Sequence, residues 1–455
     1  MRSSIVKDKA LSRRDFMGAA AAIGAFTVVP RHVLGGPNNT PPSEKLNIAG
    51  VGIGGQGGSD LRNMESENIV ALCDVDWRHA AGTFRRYPDA RKYYDFREML
   101  DKEDKNIDAV VVGTPDHMHA PVSLAAIKRG KHVYCEKPLT HTVLEARMLA
   151  DAARQAGVAT QMGNQGQASE GTRLLCETIW DGAIGQVREV HIWTDRPLNG
   201  TNKWYWPQGV DRPQGNDSVP DTLKWDLLIG PAPMRPYVQR VYHPFVWRGW
   251  WDFGTGALGD IGCHSIDPVF RALKLGYPTS VEACCTLVND QTYPVASRVT
   301  YEFPARGDLA PVTLHWYDGG MKPPRPKELE DGRRWDTNGA LYIGDKGKLY
   351  GGRLLPESRQ KDYGKPPQKL ERSPGHYVEW IQACKGGKPA GSNFPDHAGL
   401  LAQVVLMGNI ALRPELKADK YLGTKLLWDA DKYEFSNVPE ANKYLTKEYR
   451  EGWTL

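Results

Sequence analysis

Two short runs hold the residue types that proton and hydride chemistry needs. The first is Cys135-Glu136-Lys137-Pro138, which follows the strand-like Lys131-His132-Val133-Tyr134. A cation and a carboxylate thus stand at a strand's end, and Pro138, with no N–H to donate, stops the ladder. From there the Lys137 amine can reach over a bound cofactor to a substrate oxygen; the competing reading is an ordinary charged turn. The second run, residues 254–268, contains Asp260, His264 and Asp267. If it is helical, Asp260 and His264 are i and i+4 and share a face. His264 is then expected to be a base, oriented by Asp260 and raised in pKa by it, as proton abstraction requires. Asp267-Pro268 reads as an N-cap and first helical residue, which would kink the segment. A metal bound by Asp260, His264 and Asp267 is the weaker reading, since three ligands on one segment lack a distant partner; no metal is expected.

A third run has the chemistry of a cofactor site. Residues 46–51 read as a strand, Gly52-Ile53-Gly54-Gly55-Gln56-Gly57 follows, and a helix begins near Ser59. G-x-G-x-x-G between strand and helix permits a tight turn and close approach of backbone to a pyrophosphate. Asp74 ends the next strand, 20 residues beyond Gly54. A carboxylate there bonds a ribose 2′-OH and repels a 2′-phosphate, favouring NAD over NADP, with Arg78 nearby as the opposing signal.

The elements that must position these groups alternate along the chain. Strands are expected at 46–51, 68–73, 108–113, 131–134 and 158–161, with helices at 120–129 and 142–156, the latter stopped by Gly157. The glycine loop, Asp74, Thr114-Pro115, Glu136-Lys137-Pro138 and Asn164 each follow a strand. In a parallel sheet with right-handed crossovers, those ends lie along one edge and form one crevice. The expected cofactor-binding set is Gly52, Gly54, Gly55, Gln56, Gly57, Asp74, Thr114, Pro115, His117, His119, Glu136, Lys137 and Asn164.

The glycine loop, the run Thr114-Pro115-Asp116-His117-Met118-His119 and Glu136-Lys137-Pro138 resemble the Gfo/Idh/MocA oxidoreductases, and the resemblance covers nearly all the chain after residue 45. It implies an α/β protein: a Rossmann dinucleotide-binding domain at 45–165, then an α/β domain with an open, mostly antiparallel sheet at 166–455. It also implies oxidation or reduction of sugars and polyols, with Lys137, Asp260 and His264 mapping onto catalytic residues. In the second part, a helix is expected at 170–180 and a strand at 187–193. A long loop rich in Pro, Gly and Trp then runs to about residue 250. Trp204, Trp206 and Trp251, with Arg248, are expected to bind a sugar through flat aromatic faces and hydroxyl bonds; alternatively the tryptophans pin the loop to the sheet or form a subunit contact. Further strands are expected at 280–288, 295–303, 312–317 and 340–343, and helices at 377–384 and 398–412. An exposed sheet face in such a fold implies a homo-oligomer.

Composition bounds these readings. A chain of 455 residues, 25% charged and 40% hydrophobic, reads as a soluble two-domain protein. Residues 1–36 carry six Lys and Arg against two Asp, which accounts for the whole net charge of +4. The remainder is neutral, which argues against nucleic acid as a partner. The cysteines number seven and include no CxxC, which argues against a disulfide framework or a zinc ribbon. Arg13-Arg14 precedes an uncharged run of 12 residues, 18–29, too short to span a bilayer. Residues 1–36 therefore read as a twin-arginine signal, with the export machinery as a partner and a periplasmic or otherwise exported destination. That route carries folded proteins, and free NAD is not expected outside the cytoplasm, so the cofactor is expected to be tightly bound and recycled in place. The expected function is NAD-dependent oxidoreduction at the carbinol carbon of a sugar, glycoside or polyol. A redox-neutral glycoside hydrolase or lyase and a non-catalytic carbohydrate-binding protein stand as alternatives; Lys137 favours the oxidoreductase.

Overall fold

Residues 44–199, 201 and 203–455 are described by the computed structural model, and the twin-arginine reading of residues 1–36 lies outside them. The first sheet has six strands: β1 (Asn47–Val51), β2 (Asn68–Cys73), β3 (Arg91–Tyr93), β4 (Ala109–Val112), β5 (His132–Glu136) and β6 (Thr160–Gly163). Their order is β3-β2-β1-β4-β5-β6, and every pairing is parallel. All four residues of β4 are buried, which is why its sequence is unbroken Ala-Val-Val-Val rather than alternating. β3 has two of its three residues exposed and carries no apolar signature, so it was not legible beforehand. Strand order reverses between β1 and β4, and a doubly wound sheet opens its crevice at such a point.

Local chemistry fixes the connections. The glycine loop leads into α1 (Gln56–Arg62), and the run after β4 leads into α2 (His119–Ile127). After β5 comes α3 (Val143–Ala156), opened by a capping box in which Thr142 accepts from the Glu145 N–H and Glu145 reaches back to the Thr142 N–H. It ends at Gly157, whose φ of 64° suits a residue without Cβ.

The second sheet has nine strands: β7 (Val187–Trp193), β8 (Ser280–Cys285), β9 (Ser297–Phe303), β10 (Val312–Tyr317), β11 (Gly339–Gly344), β12 (Gly347–Tyr350), β13 (Arg353–Leu355), β14 (Leu426–Asp429) and β15 (Glu434–Phe435). The order is β13-β12-β11-β7-β10-β9-β8-β14-β15, antiparallel except for β7 beside β10. Period-2 alternation assigns its faces: Val190, Ile192, Leu314 and Trp316 are buried in the main core, and the residues between them point the other way. The helices α4 (Gly256–Ser265) and α5 (Asp267–Leu273) meet at Ile266, which keeps helical φ and ψ. This corrects the expected N-cap, since Ile266 and not Asp267 caps α5, Pro268 stands in its first turn, and the Asp267 carboxylate is bonded by Arg271 and His397.

The chain's last quarter returns to the first sheet. In α6 (His376–Cys384), Trp380 is fully buried in one cluster with Ile48, Leu72, Val111 and Tyr134. The uncharged helix α7 (Gly399–Ala411) is almost wholly buried, and Trp453 stands 6.3 Å from Phe96. Apolar burial is worth roughly 25 cal/mol per Å², so these returning side chains bind the two sheets into one body. All seven cysteines are free, five of them buried.

Candidate active site

The crevice at the strand ends is a cavity of about 390 Å³, walled by the glycine loop on one side and by residues 243–248 and His264 on the other. Glycine is required where the loop comes closest to its neighbours. Gly52 has φ +75°, and a Cβ there would lie 2.6 Å from the Thr114 nitrogen. A Cβ on Gly57 would lie 2.3 Å from the Gly52 oxygen. Gly54, Gly55 and Gln56 line the space left open. Asp74 reaches it from the end of β2, where Oδ2 accepts from the Ile53 and Gly54 N–H groups at 2.8 and 2.9 Å and Oδ1 from that of Asp76 at 2.9 Å. Burial raises its pKa. A bare glycine cradle beside an anchored carboxylate fits a dinucleotide's pyrophosphate and ribose.

Lys137 and His264 line this same cavity from the two halves of the chain. Lys137 Nζ donates to Asp260 Oδ1 at 2.7 Å and to the Asp260 carbonyl at 3.0 Å. That uses two of its three hydrogens and leaves one for a ligand oxygen. Arg248 Nε also donates to Asp260 Oδ1, at 2.9 Å, and its Nη1 donates to the Phe245 carbonyl at 3.0 Å. Burial alone would raise the Asp260 pKa, but the two cations outweigh it and hold the group well below the carboxylate range.

This corrects the expected pairing of Asp260 with His264. The carboxylate is taken by Lys137 and Arg248, and no hydrogen bond joins it to the imidazole. Burial first, then the charge of Lys137, lowers the His264 pKa to about 4 rather than raising it. His264 is therefore neutral near pH 7 and can accept a proton.

Other expected site residues are placed differently. His117 is buried with its ring nitrogens 3.3 Å from the Phe253 carbonyl and 3.0 Å from that of Leu228. His119 spans the carbonyls of Pro138 and Thr114 at 2.7 and 2.9 Å. Neither ring lines the cavity: they strap the loops after β4 and β5 to each other and to the second half. Thr114 and Pro115 do line it. Asn164 is fully buried, and the next residue, Gln165, reaches the cavity, donating to Glu136 Oε1 at 2.8 Å.

The tryptophans mostly pin the long loop. Trp206 is buried, its Nε1 donating to Gln208 at 2.8 Å, and Trp251 is buried with Nε1 donating to the Asn289 carbonyl at 3.1 Å. Trp251 lines a separate cavity of about 220 Å³, and Trp204 is 47% exposed without lining the crevice. Tyr94, Phe96, Trp453, Phe245 and Trp247 bring aromatic rings to the crevice, and the last two each lie about 4 Å from the Arg248 guanidinium. Phe245 has φ 68°, a conformation bulky residues rarely hold.

Two features went unassigned in the sequence, and a third involves Glu136, expected only to bind cofactor. Asp116, inside the Thr-Pro-Asp-His run, is buried and accepts from Thr255 Oγ1 at 2.6 Å; burial raises its pKa to about 7, against the pull of Arg248 and Lys137. His79 closes over Gly54 and His243 bonds Asp76 at 3.0 Å, with the two imidazoles edge to face at 5.4 Å. Glu136 and Asp60 form a buried pair whose pKa values burial raises, so they compete for one proton. Asp116 and Glu136 sat in runs with a signal to follow; His79, His243 and Asp60 did not.

Two family models match the chain. "Oxidoreductase family, NAD-binding Rossmann fold" matches residues 45–164, and "Oxidoreductase family, C-terminal alpha/beta domain" matches 181–455. Inositol 2-dehydrogenase of Salmonella typhimurium is 31% identical over 147 residues, 31% of this chain and 43% of that protein. Levoglucosan dehydrogenase of Pseudarthrobacter phenanthrenivorans is 28% identical over 188 residues, 41% of this chain and 38% of that protein. The chain thus spans less than half the length of these curated relatives. Among solved structures, the WlbA dehydrogenase of Bordetella pertussis, in complex with NADH and UDP-GlcNAcA, shares the fold with a TM-score of 0.56 at 17% identity, covering 85% of this chain and all of that one.

Proposed function

This chain belongs to the Gfo/Idh/MocA oxidoreductase family, and on that premise we propose that it exchanges a hydride between NAD and the carbinol carbon of a sugar, glycoside or polyol. The observation that carries the reading is the sharing of one cavity by the glycine loop, the Lys137 amine and the neutral His264 imidazole. The relatives' names, dehydrogenases of inositol and levoglucosan, support an alcohol-bearing carbohydrate.

Gly52, Gly54, Gly55 and Gln56 would hold the pyrophosphate and Asp74 the ribose, where a carboxylate supports NAD over NADP. NAD, when bound, supplies the hydride acceptor or donor. The remaining work falls to this chain's side chains. His264 accepts the hydroxyl proton through a free ring nitrogen. Lys137 gives its third hydrogen to the same oxygen and stabilises the charge that develops there. Asp260 and Arg248 fix the amine in place, and Phe245 and Trp247 offer apolar faces to the ring of a carbohydrate. The twin-arginine reading of residues 1–36 adds that the protein is exported folded, with a retained cofactor recycled by alternating substrates.

The test is to purify the protein, identify any bound nucleotide by mass, and screen sugars, glycosides and polyols for a change in nicotinamide absorbance. The reading expects NAD and at least one carbohydrate that changes its reduction state. Failure of every substrate class, with NAD added and the protein folded, would overturn it.

A further inference from the structure

Away from the crevice, the outer face of the second sheet gathers three metal-ligating side chains. Glu189 and His191 are i and i+2 on β7 and therefore share a face. His315 on β10 pairs directly with His191 in the parallel register. We propose that Glu189, His191 and His315 form a binding site for one divalent transition-metal ion, zinc in the first instance.

The geometry is that of a ligand set. Glu189 Oε1 lies 3.0 Å from His191 Nε2 and 3.3 Å from His315 Nε2. All three ligand atoms fall within 4.8 Å of one another. A tetrahedral zinc with bonds of about 2.0–2.1 Å holds neighbouring ligand atoms about 3.3 Å apart. The imidazoles stack with centroids 5.0 Å apart and planes at 22°, and both Nε2 atoms face Glu189 Oε1.

Each remote nitrogen is also held. His191 Nδ1 meets the Tyr317 hydroxyl at 3.1 Å, and His315 Nδ1 meets Thr300 Oγ1 at 3.0 Å. Partners on the far ring nitrogen set the tautomer and aim the near one at a metal. With an ion bound, the Nδ1–H groups donate to Tyr317 and Thr300 and the Nε2 lone pairs face inward. Without one, each Nε2–H donates to Glu189 and the outer hydroxyls donate to the Nδ1 atoms. Access suits an ion from solution, with side-chain exposures of 6% for His191, 18% for His315 and 39% for Glu189. Two histidines and one carboxylate leave a fourth position open to water, and they hold β7 to β10 across the middle of the sheet.

The experiment uses the full chain stripped with a chelator. Zn2+ is titrated by calorimetry, and Co2+ serves as the spectroscopic probe. The proposal expects one ion per chain at micromolar affinity or tighter, visible Co2+ bands displaced by Zn2+, and a melting temperature raised by Zn2+. Glu189→Gln and His315→Ala, both at partly exposed positions, should each weaken binding at least ~100-fold. Cys284→Ser, a nearby thiol on β8, should leave it unchanged. If one variant loses its fold by circular dichroism, the other decides. Wild-type affinity no better than that of the folded variant, or loss of binding in Cys284→Ser, would overturn the proposal.

Discussion

The crevice and the outer sheet face are built from the same materials and arranged to opposite ends. Each sets a carboxylate and an imidazole that are close in sequence beside a residue from a distant part of the chain, Lys137 in the crevice and His315 on the sheet face. In the crevice, Asp260 sits between two cations, Lys137 at 2.7 Å and Arg248 at 2.9 Å, and the nearby His264 is left free. On the sheet face, no Lys or Arg among the described residues pairs with Glu189, and the carboxylate lies between two imidazoles at 3.0 and 3.3 Å. The difference lies in what the carboxylate is bonded to. Neutralised by an amine and a guanidinium, it is a support that aims Lys137. Placed between two imidazoles, it is itself a ligand. A histidine beside an acid therefore does not define a base or a metal site until the acid's other partners are known.

The comparison can be broken most sharply at Lys137. Lys137→Ala should lower kcat/KM for the carbohydrate about 10²–10³-fold by removing the hydrogen-bond donor to the reacting oxygen. It should also leave Asp260 with Arg248 alone. Steady-state turnover with a circular-dichroism control reads this.

His264→Ala should cost about 10²-fold, and the pH profile distinguishes its cause. The base works when unprotonated, and burial together with Lys137 lowers its pKa to about 4. Wild-type kcat/KM should therefore hold on going from pH 7 to pH 5 and fall only as pH drops through about 4. A fall centred near 6.5 would mean that an imidazole of ordinary pKa is the base.

Asp74→Ala should weaken NAD about tenfold, roughly 1.4 kcal/mol, with little effect on NADP. Equal losses for the two nucleotides, by calorimetry, would mean that Asp74 acts only through its bonds to the Ile53 and Gly54 N–H groups. The smallest effect expected is in α3, which contributes no residue to the crevice lining or to the Glu189–His191–His315 cluster. Thr142→Ala removes a capping box and should cost about 1 kcal/mol of stability with unchanged turnover.

Much of the crevice was legible because its residues follow apolar strands. Gly52–Gly57, Asp74, Thr114 and Lys137 could be assigned to one edge from alternation alone, and Thr142, Glu145 and Gly157 bound α3 as their types dictate. What stayed hidden was side-chain direction. His117 and His119 stand in the right run, yet their rings turn away to backbone carbonyls. Trp206 and Trp251 have the chemistry of a sugar platform, but the indole N–H of Trp206 is satisfied by Gln208 inside the loop and that of Trp251 by the Asn289 carbonyl between β8 and β9. The i,i+4 spacing put Asp260 and His264 on one face and could not reveal that Lys137 and Arg248 would claim the acid first. His191 and His315 meet only through the β7–β10 pairing, and no local period signals a pairing between strands so far apart in the chain. Trp380 and Trp453 lie in segments without a motif, so their return to the first sheet is a property of tertiary burial.

The central claim is that an amine and a neutral imidazole from opposite halves of the chain act on one carbinol oxygen. Its most direct measurement is single-turnover nicotinamide reduction by wild-type protein, Lys137→Ala and His264→Ala, each saturated with NAD and with the best carbohydrate found by screening. The account predicts a fast burst in the wild type and bursts slowed about 10²-fold or more in both variants, with nucleotide still bound. Bursts of wild-type rate in both variants would contradict it.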